Sequence, residues 1–428
     1  MQTSFTSAFT QTSDGERVNN ILRKCVHCGF CNATCPTYEL TGNELDGPRG
    51  RIYLIKNFFE ESSQNNLAEN TQAPSNETSL KHLDRCLTCL SCETTCPSGV
   101  KYGELVDIGR KHISASVPRP MHNKIKRKLI LSAFSNSKRV AWLFAIARIF
   151  KPLLPMNLAS KIPAKVKLMP ESSSSPSSGS SPDSTASNGK STSRKMLTIK
   201  GCVQNAAAPQ INHATKIVLS DSDIQLHEVD SACCGALAFH LTELEQAHET
   251  IRKNIDHWYQ MLNEDYEKIL INSSGCSTFI KQYTTIMQDD DLYAKKAKFV
   301  SEHCIDLSEI ASELQPDTSK ASSTSKQTIA FHSPCTLQHG QKIKGEIEDK
   351  LLQAGYVLTE VQDPHLCCGS AGTYSLLEPD MSSKLLKNKV TNLEKNQPDI
   401  IVTANIGCLM HLQSGTEIPV KHWIELLA

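Results

Sequence analysis

The chain has 428 residues, enough for two or three domains that each bury a core of their own. Its 45 Lys and Arg balance its 45 Asp and Glu, so the composition offers no broad electrostatic field for nucleic acid or an anionic membrane. The polar start, "MQTSFTSAFTQTSDGERVNN", lacks the features of a secretory signal, so we expect a cytoplasmic protein whose 17 cysteines serve metal or redox chemistry rather than disulfides.

The first block, residues 1–169, has the periodicity of helices. "GRIYLIKNFFEE" and "YGELVDIGRKHIS" show the helical spacing of apolar residues, and no segment of this block looks like a good strand. A polar stretch over residues 62–79 is typical of a loop. We therefore expect a mostly helical domain built around its cysteines.

Two cysteine runs of identical spacing stand in this block, "CVHCGFCNATCP" and "CLTCLSCETTCP". This is the bacterial ferredoxin run, in which three cysteines bind one [4Fe-4S] cluster and the fourth binds the other cluster. The ligands expected for the first cluster are Cys25, Cys28, Cys31 and Cys96. Those expected for the second cluster are Cys86, Cys89, Cys92 and Cys35. The two clusters would then form one electron path.

Zinc is the alternative occupant, because four thiolates also suit a tetrahedral Zn²⁺ site. Zinc sites seldom need a third closely spaced cysteine and a fourth supplied by the other run, so the pattern favours iron and sulfide. A zinc-bound structural scaffold stays the competing hypothesis.

The end of the first block is basic and then apolar. "NKIKRKLILSAFSNSKRV" is amphipathic, and the following "AWLFAIARIF" is about half the roughly 20 residues that cross a bilayer. We expect no transmembrane helix. Peripheral contact with the cytoplasmic face of the inner membrane, or with an acidic partner, is the alternative to a solvated helix pair.

Two low-complexity segments divide the rest of the chain. Residues 170–195 are rich in Ser, Pro and Gly and are expected to form a flexible linker, and residues 315–327 are a shorter one. They leave two blocks, residues 196–314 and 328–428. The predicted architecture is thus a helical ferredoxin-like dicluster domain followed by two further domains.

Those two blocks repeat each other. Each has a single cysteine, then a Cys-Cys-Gly triplet, then another single cysteine, at nearly the same spacing. The cysteines of the first repeat are Cys202, Cys233, Cys234 and Cys276. Those of the second repeat are Cys335, Cys367, Cys368 and Cys408. Cys304 has no counterpart and is expected to be a core or surface thiol.

Short β-branched runs alternate with helical stretches in each repeat, which predicts α/β units around a parallel sheet. The cysteines lie near predicted strand ends, which line the ligand crevice of such sheets, so all eight could converge on a further redox or cluster site. His332, His339 and His365 stand beside these cysteines and are expected to support the site rather than bind in it.

Several motifs make the chain similar to a known family. "LDRCLTCLSCETTCPSGV", "PCTLQHGQK", "HLCCGSAGTYSL", "IVTANIGC" and "KHWIEL" resemble the iron-sulfur subunits of bacterial glycolate oxidases. The resemblance covers nearly the whole chain outside the linkers. It implies a complex in which a flavin-containing subunit oxidises glycolate to glyoxylate, while this chain passes electrons through two [4Fe-4S] clusters to a quinone or another acceptor.

The sequence has no G-x-G-x-x-G fingerprint or other flavin signature, so FAD is expected on the partner only and no catalytic residue on this chain. Iron-sulfur subunits of glycerol-3-phosphate and lactate dehydrogenase complexes share the same parts and stay open. So does a thiol reductase resembling heterodisulfide reductase. The repeats end in "GCST" and "GCLM" rather than C-x-x-C, which argues against a full non-cubane cluster of that kind.

Overall fold

The computed structural model describes residues 1–64, 74–153, 162–163, 193–229, 233–315 and 327–428. Most of the predicted Ser-rich linker and most of the shorter linker lie outside the described residues. How the chain divides into separately folding domains stays a prediction.

The first block is helical, as predicted. Its α-helices are α1 Ser7–Thr10, α2 Ser13–Lys24, α3 Pro36–Thr41, α4 Pro48–Gln64, α5 Pro74–Asp84, α6 Ser91–Thr95, α7 Tyr102–Ser116, α8 Met121–Phe134 and α9 Ser137–Phe150. Short 3₁₀ turns occupy Phe30–Thr34, Glu44–Asp46 and Lys151–Leu153.

Apolar residues at helical spacing form the core of this block. Val18, Ile21 and Leu22 lie on one face of α2 and are buried. The helix begins where the Thr12 hydroxyl accepts the Gly15 N–H, as an N-cap does. This face packs in one cluster with α4, α5 and α7, so the four helices hold the two cysteine runs between them.

The loop predicted over residues 62–79 is wrong at both ends. Helix α4 continues to Gln64 and α5 already begins at Pro74. Residues 65–73, between the two helices, lie outside the described residues. Pro74 is compatible with a helix start, because a proline there removes an N–H that would have no partner within the helix. Polar composition marked this stretch as exposed, and exposure alone does not exclude helix.

Each repeat contains a four-stranded, wholly parallel sheet, as the alternating pattern predicts. The strands of the first are β1 Arg194–Ile199, β2 Ile224–Val229, β3 Lys268–Ile271 and β4 Cys304–Asp306. Those of the second are β5 Thr328–His332, β6 Val357–Leu358, β7 Ile400–Thr403 and β8 Val420–His422. The orders β2-β1-β3-β4 and β6-β5-β7-β8 are equivalent, so the sequence repeat is also a repeat of topology.

Helices connect and flank the strands. In the first repeat they are α10 Gln204–Ala207, α11 Pro209–Ser220, α12 Ala236–His240, α13 Leu244–Glu264, α14 Ser274–Lys281, α15 Tyr283–Ile286 and α16 Ala294–His303. In the second they are α17 Glu346–Gln353, α18 Tyr374–Leu377, α19 Pro379–Glu394 and α20 Ile406–Gln413, with a π-helical turn at Thr336–Gln341. Two 3₁₀ turns, Leu307–Glu313 and Trp423–Leu426, complete the set.

The two repeats pack against each other through equivalent loops. The Ser274 N–H donates to the Ala404 carbonyl at 3.1 Å, and the Ser273 hydroxyl donates to Asn405 Oδ1 at 2.9 Å. One apolar cluster also runs through both repeats, with Met196 from one and Phe331 from the other. Within the described residues, no helix has both the length and the apolar character that a bilayer crossing needs.

Candidate metal centres

One cavity brings together the cysteines predicted to hold the first cluster. It lies between the first cysteine loop and the segment after α6, and Arg49 and Tyr102 contribute to its wall. The cysteines that line it are Cys25, Cys28, Cys31, Cys92 and Cys96. Cys96 comes from the second run, so the structure places the fourth cysteine of one run beside the first three of the other.

A second cavity adjoins the first. Arg51 and Tyr102 form part of its wall, and the cysteines that line it are Cys35, Cys86, Cys89 and Cys92. Cys92 lines both cavities, so the two sites share a wall. Each cavity thus offers the four thiolates that a [4Fe-4S] cluster requires, and the residues present fit this cofactor.

The two loops around these cavities fold alike. His27 and Gly29 in the first run have positive φ angles, and Thr88 and Leu90 take positive φ at the same positions of the second run. Left-handed residues turn the backbone sharply, which lets closely spaced cysteines face one point. At Gly29 an added Cβ would stand 2.8 Å from Arg49 Nη1, so the end of the Arg49 side chain would have to move.

Buried guanidinium groups surround the second cavity. Arg51 is 1% exposed and donates through Nε to the His82 carbonyl at 2.8 Å. Arg110 donates to the backbone carbonyls of Leu83 and Cys86. Burial disfavours the Cys86 thiolate, but the charges of Arg51 and Arg110 outweigh burial and lower the pKa of this thiol.

Most of the other thiols in these cavities have raised pKa values. Burial, reinforced by neighbouring thiolates, raises the pKa of Cys89 and Cys92 well above the usual range. Burial likewise raises the pKa of Cys31 to about 11. Several anionic sulfurs so close together repel one another, and bound iron is the counter-charge that such a group requires.

Sequence reasoning missed the buried arginines of this region. A signal was present, because the first segment after the Cys35 run, "GPRGRIYLIK", places Arg51 on an otherwise apolar helical face. The partner groups of Arg51, the Thr37 hydroxyl and the His82 carbonyl, come from other segments. Helical periodicity alone could not reveal them.

The second repeat packs directly against the second cavity. Leu87 belongs to one apolar cluster with Cys367 and Tyr374, and Cys89 and Cys335 pack against that cluster. The Tyr374 hydroxyl also donates to the Arg85 carbonyl at 3.2 Å. The cysteines of the second repeat therefore lie beside the loop that is predicted to bind the second cluster.

Sulfur contacts group the remaining cysteines by repeat. Cys234 and Cys276 approach within 3.5 Å, and Cys202 is hydrogen-bonded to Cys233. Cys335 and Cys367 stand 3.9 Å apart. A hydrogen bond joins Cys368 to Cys408. Convergence of all eight in a single crevice stays a prediction.

The structure shows what surrounds Cys304 and His339, one of the predicted supporting histidines. Cys304 begins β4 and is buried in the core of the first repeat, and burial raises the pKa of its thiol. His339 Nδ1 contacts the Thr94 hydroxyl at 2.9 Å, while its Nε2 contacts the His365 carbonyl at 3.1 Å. Its ring thus links the first block to the second repeat.

Two domain families match the chain. The 4Fe-4S dicluster domain matches residues 21–100, and the CCG cysteine-rich domain matches residues 196–281 and 329–413. These matches confirm the predicted fold class and the two [4Fe-4S] clusters as its cofactors.

Full-length relatives point the same way. The glycolate oxidase iron-sulfur subunit of Escherichia coli (strain K12) is 43% identical over 100% of this chain and 98% of its own length. The probable glycolate oxidase iron-sulfur subunit of Bacillus subtilis (strain 168) is 27% identical over 92% of this chain and 89% of its own. A shorter match is lactate utilization protein A of the same organism, which is 27% identical over 46% of this chain and 82% of its own length. The chain therefore belongs to the family of glycolate oxidase iron-sulfur subunits.

Proposed function

We propose that this chain is the electron-transfer subunit of a complex that oxidises glycolate to glyoxylate. A partner subunit bearing FAD performs the two-electron step, and a quinone or another acceptor receives the electrons. The observation that carries the proposal is the pair of adjoining cavities, one lined by five cysteines and the other by four, with Cys92 in both walls. The full-length similarity to glycolate oxidase iron-sulfur subunits supports glycolate as the substrate of the complex.

Each proposed set of cluster ligands consists of four cysteines that line the same cavity. The first cavity would hold its cluster through Cys25, Cys28, Cys31 and Cys96. The second would hold its cluster through Cys35, Cys86, Cys89 and Cys92. When bound, clusters of this kind accept and release one electron at a time, so the chain divides the electron pair from glycolate into single steps.

The side chains around the cavities set the conditions for that transfer. Arg51 and Arg110 place buried positive charge beside the second site, which stabilises the more negative, reduced state. Leu87 lines the same site and packs in one apolar cluster with Tyr374 and Leu385, which shields that wall from water. The first site is more open, because Cys28 is exposed.

The open rim of the first site supports docking of the flavoprotein there. Val26 and Phe30 flank Cys28, and these apolar side chains are 67% and 62% exposed. Apolar side chains around a solvent-facing redox site are typical of a protein interface. Electrons would enter at this rim and continue towards the buried second site.

The direct test is a dye-reduction assay on the chain co-purified with its flavoprotein partner. We expect glycolate to support dye reduction and Cys96→Ser to abolish electron transfer through this chain. Cys304→Ala is the matched control, because Cys304 is a buried cysteine outside both cavities. Dye reduction with lactate or glycerol 3-phosphate but not with glycolate would contradict the proposed substrate.

We also propose that α8 and α9 hold the chain on the cytoplasmic face of an anionic membrane. Met121, Ile125 and Leu129 recur every four residues on α8 and are exposed, with Met121 70% exposed. Trp142 and Ile149 are exposed on α9. The exposed basic side chains of the two helices are Lys124, Lys126, Lys128, Lys138 and Arg139. Apolar side chains among basic ones suit a negatively charged lipid surface.

The sequence adds to the charge argument, since no acidic residue occurs between Asp107 and Glu171. In vesicle co-sedimentation we expect binding to phosphatidylglycerol-containing vesicles, weak binding to pure phosphatidylcholine, and loss of binding in high salt. Trp142→Ser should weaken binding, whereas Leu292→Ser should not, because Leu292 is 79% exposed in another region. Equal behaviour of the two variants would contradict a membrane role for α9.

A further inference from the structure

His332 is a buried imidazole that makes no hydrogen bond to any residue that the structure describes. It ends β5 and is 1% exposed, and within the described part of the chain neither Nδ1 nor Nε2 has a partner. A buried polar group without a partner destabilises the fold, and such groups are rare in folded proteins. A ring with two unsatisfied nitrogens therefore indicates a ligand that the protein side chains do not supply.

Two sulfur atoms lie beside this ring. One ligand atom of His332 and the Sγ atoms of Cys368 and Cys408 are all within 4.8 Å of one another, and all three residues are buried. These residues come from three segments that are distant in the sequence, namely the end of β5, the CCG loop and the first turn of α20. The fold thus brings three metal-binding groups to one enclosed point.

The first repeat lacks the nitrogen ligand at the equivalent point. His332 stands three residues before Cys335, and the residue three before Cys202 is Ile199, the last residue of β1. Cys234 and Cys276 still approach within 3.5 Å there, but Ile199 is apolar. The repeats therefore share the cysteines and differ in the histidine.

The geometry suits one ion better than a cluster. Tetrahedral zinc binds sulfur at about 2.3 Å and nitrogen at about 2.0 Å, so its ligand atoms stand within about 4 Å of one another. Cluster thiolates each bind a different iron and stand further apart. We propose that the second repeat binds a single thiophilic divalent ion, Zn²⁺ or Fe²⁺, through His332, Cys368 and Cys408, and that the first repeat lacks this site.

The surrounding charges are compatible with such an ion. Two thiolates neutralise a divalent cation. The Cys367 thiol is hydrogen-bonded to Cys368. The ammonium group of Lys389 lies near these thiolates while it donates to the carbonyls of Asp363 and Pro364. A thiolate at Cys367 would therefore have its counter-charge in place.

The position of this site suggests what the ion does. Cys367 packs in the apolar cluster that also contains Leu87 and contacts Cys89. An ion on the adjacent Cys368 would fix the CCG loop of the second repeat against the loop of the second cluster. The ion would thus hold the second repeat against the first block. This role does not depend on which substrate the complex oxidises.

The test is metal analysis of the full chain purified without oxygen. Beyond the about eight irons of two cubane clusters, we expect about one further zinc or iron per chain with no matching sulfide. His332→Ala and Cys408→Ser should lose this ion. Cys276→Ser, the first-repeat counterpart of Cys408, and His365→Ala, a neighbouring histidine outside the triad, should keep it.

Cobalt replacement of the ion in the unmodified chain gives a second readout that needs no variant. We expect visible absorption from tetrahedral Co²⁺ with thiolate ligands. Absence of any ion beyond the two clusters, extra iron matched by extra sulfide, or an ion that survives His332→Ala would each overturn the inference. Cluster absorbance that is unchanged in the variants would show that the rest of the chain is folded.

Discussion

At the scale of single residues, Arg51 links the charge of the second cluster site to the stability of the first block. Its guanidinium group contacts the Thr37 hydroxyl at 3.2 Å and lies 3.8 Å from Asp46, which is 1% exposed. His82 and Arg85 complete the partners of Asp46 at 2.7 and 3.1 Å. Removing Arg51 would leave part of this network without its charge.

We therefore expect Arg51→Leu to destabilise the protein by about 3–5 kcal/mol, as the loss of one partner of a buried ion pair does. Loss of the positive charge should also lower the reduction potential of the second cluster, because that charge favours the reduced state. Arg51→Lys keeps the charge and is the control. A redox titration followed by EPR would contradict this account if Arg51→Leu and Arg51→Lys shifted the potential equally.

At the scale of elements, helices α4 and α7, which flank the two cluster sites, pack closely against each other. A Cβ placed on Gly109 of α7 would stand 2.8 Å from Cγ1 of Ile55, which is fully buried on α4. Glycine in a helix interior is otherwise unfavourable. Its presence here is explained by the approach of the two helices.

Gly109→Ala should therefore lower the melting temperature, because overpacking costs about 1–3 kcal/mol and exceeds the roughly 1 kcal/mol that alanine gains in helix propensity. In an Ile55→Ala background the same substitution should be neutral or stabilising. Thermal unfolding of the four proteins, measured without oxygen, checks this. Purely additive effects would mean that the two residues do not interact.

The sequence pattern predicts which segments form helices and strands, but it says less about which of these elements contact one another. The β-branched run that ends at Ile199 and the one that ends at His332 both form parallel strands, because local pattern dominates there. The error over residues 62–79 came from reading polar composition as loop. The sequence places His332 beside the cysteines, but only the fold shows that its ring makes no hydrogen bond within the described residues.

At the scale of the whole molecule, three groups of sulfur lie in sequence from an open rim to a buried interior. The first cavity includes exposed Cys28, the second shares Cys92 with it, and Cys335 and Cys367 pack beside Cys89 of the second. The ferredoxin spacing predicts the ligand set of each cluster, and those two sets stay a prediction. The contact between Cys89 and the second repeat depends on packing between distant segments, so no local pattern could predict it.

The most direct measurement is EPR spectroscopy of the reduced chain, purified without oxygen, together with iron and sulfide analysis. The adjoining cavities predict about eight irons with equal sulfide and a spectrum broadened by magnetic interaction between two reduced [4Fe-4S] clusters. Cys96→Ser and Cys35→Ser should each perturb a different cluster. A colourless protein containing zinc and no acid-labile sulfide, or two clusters without magnetic interaction, would contradict the account.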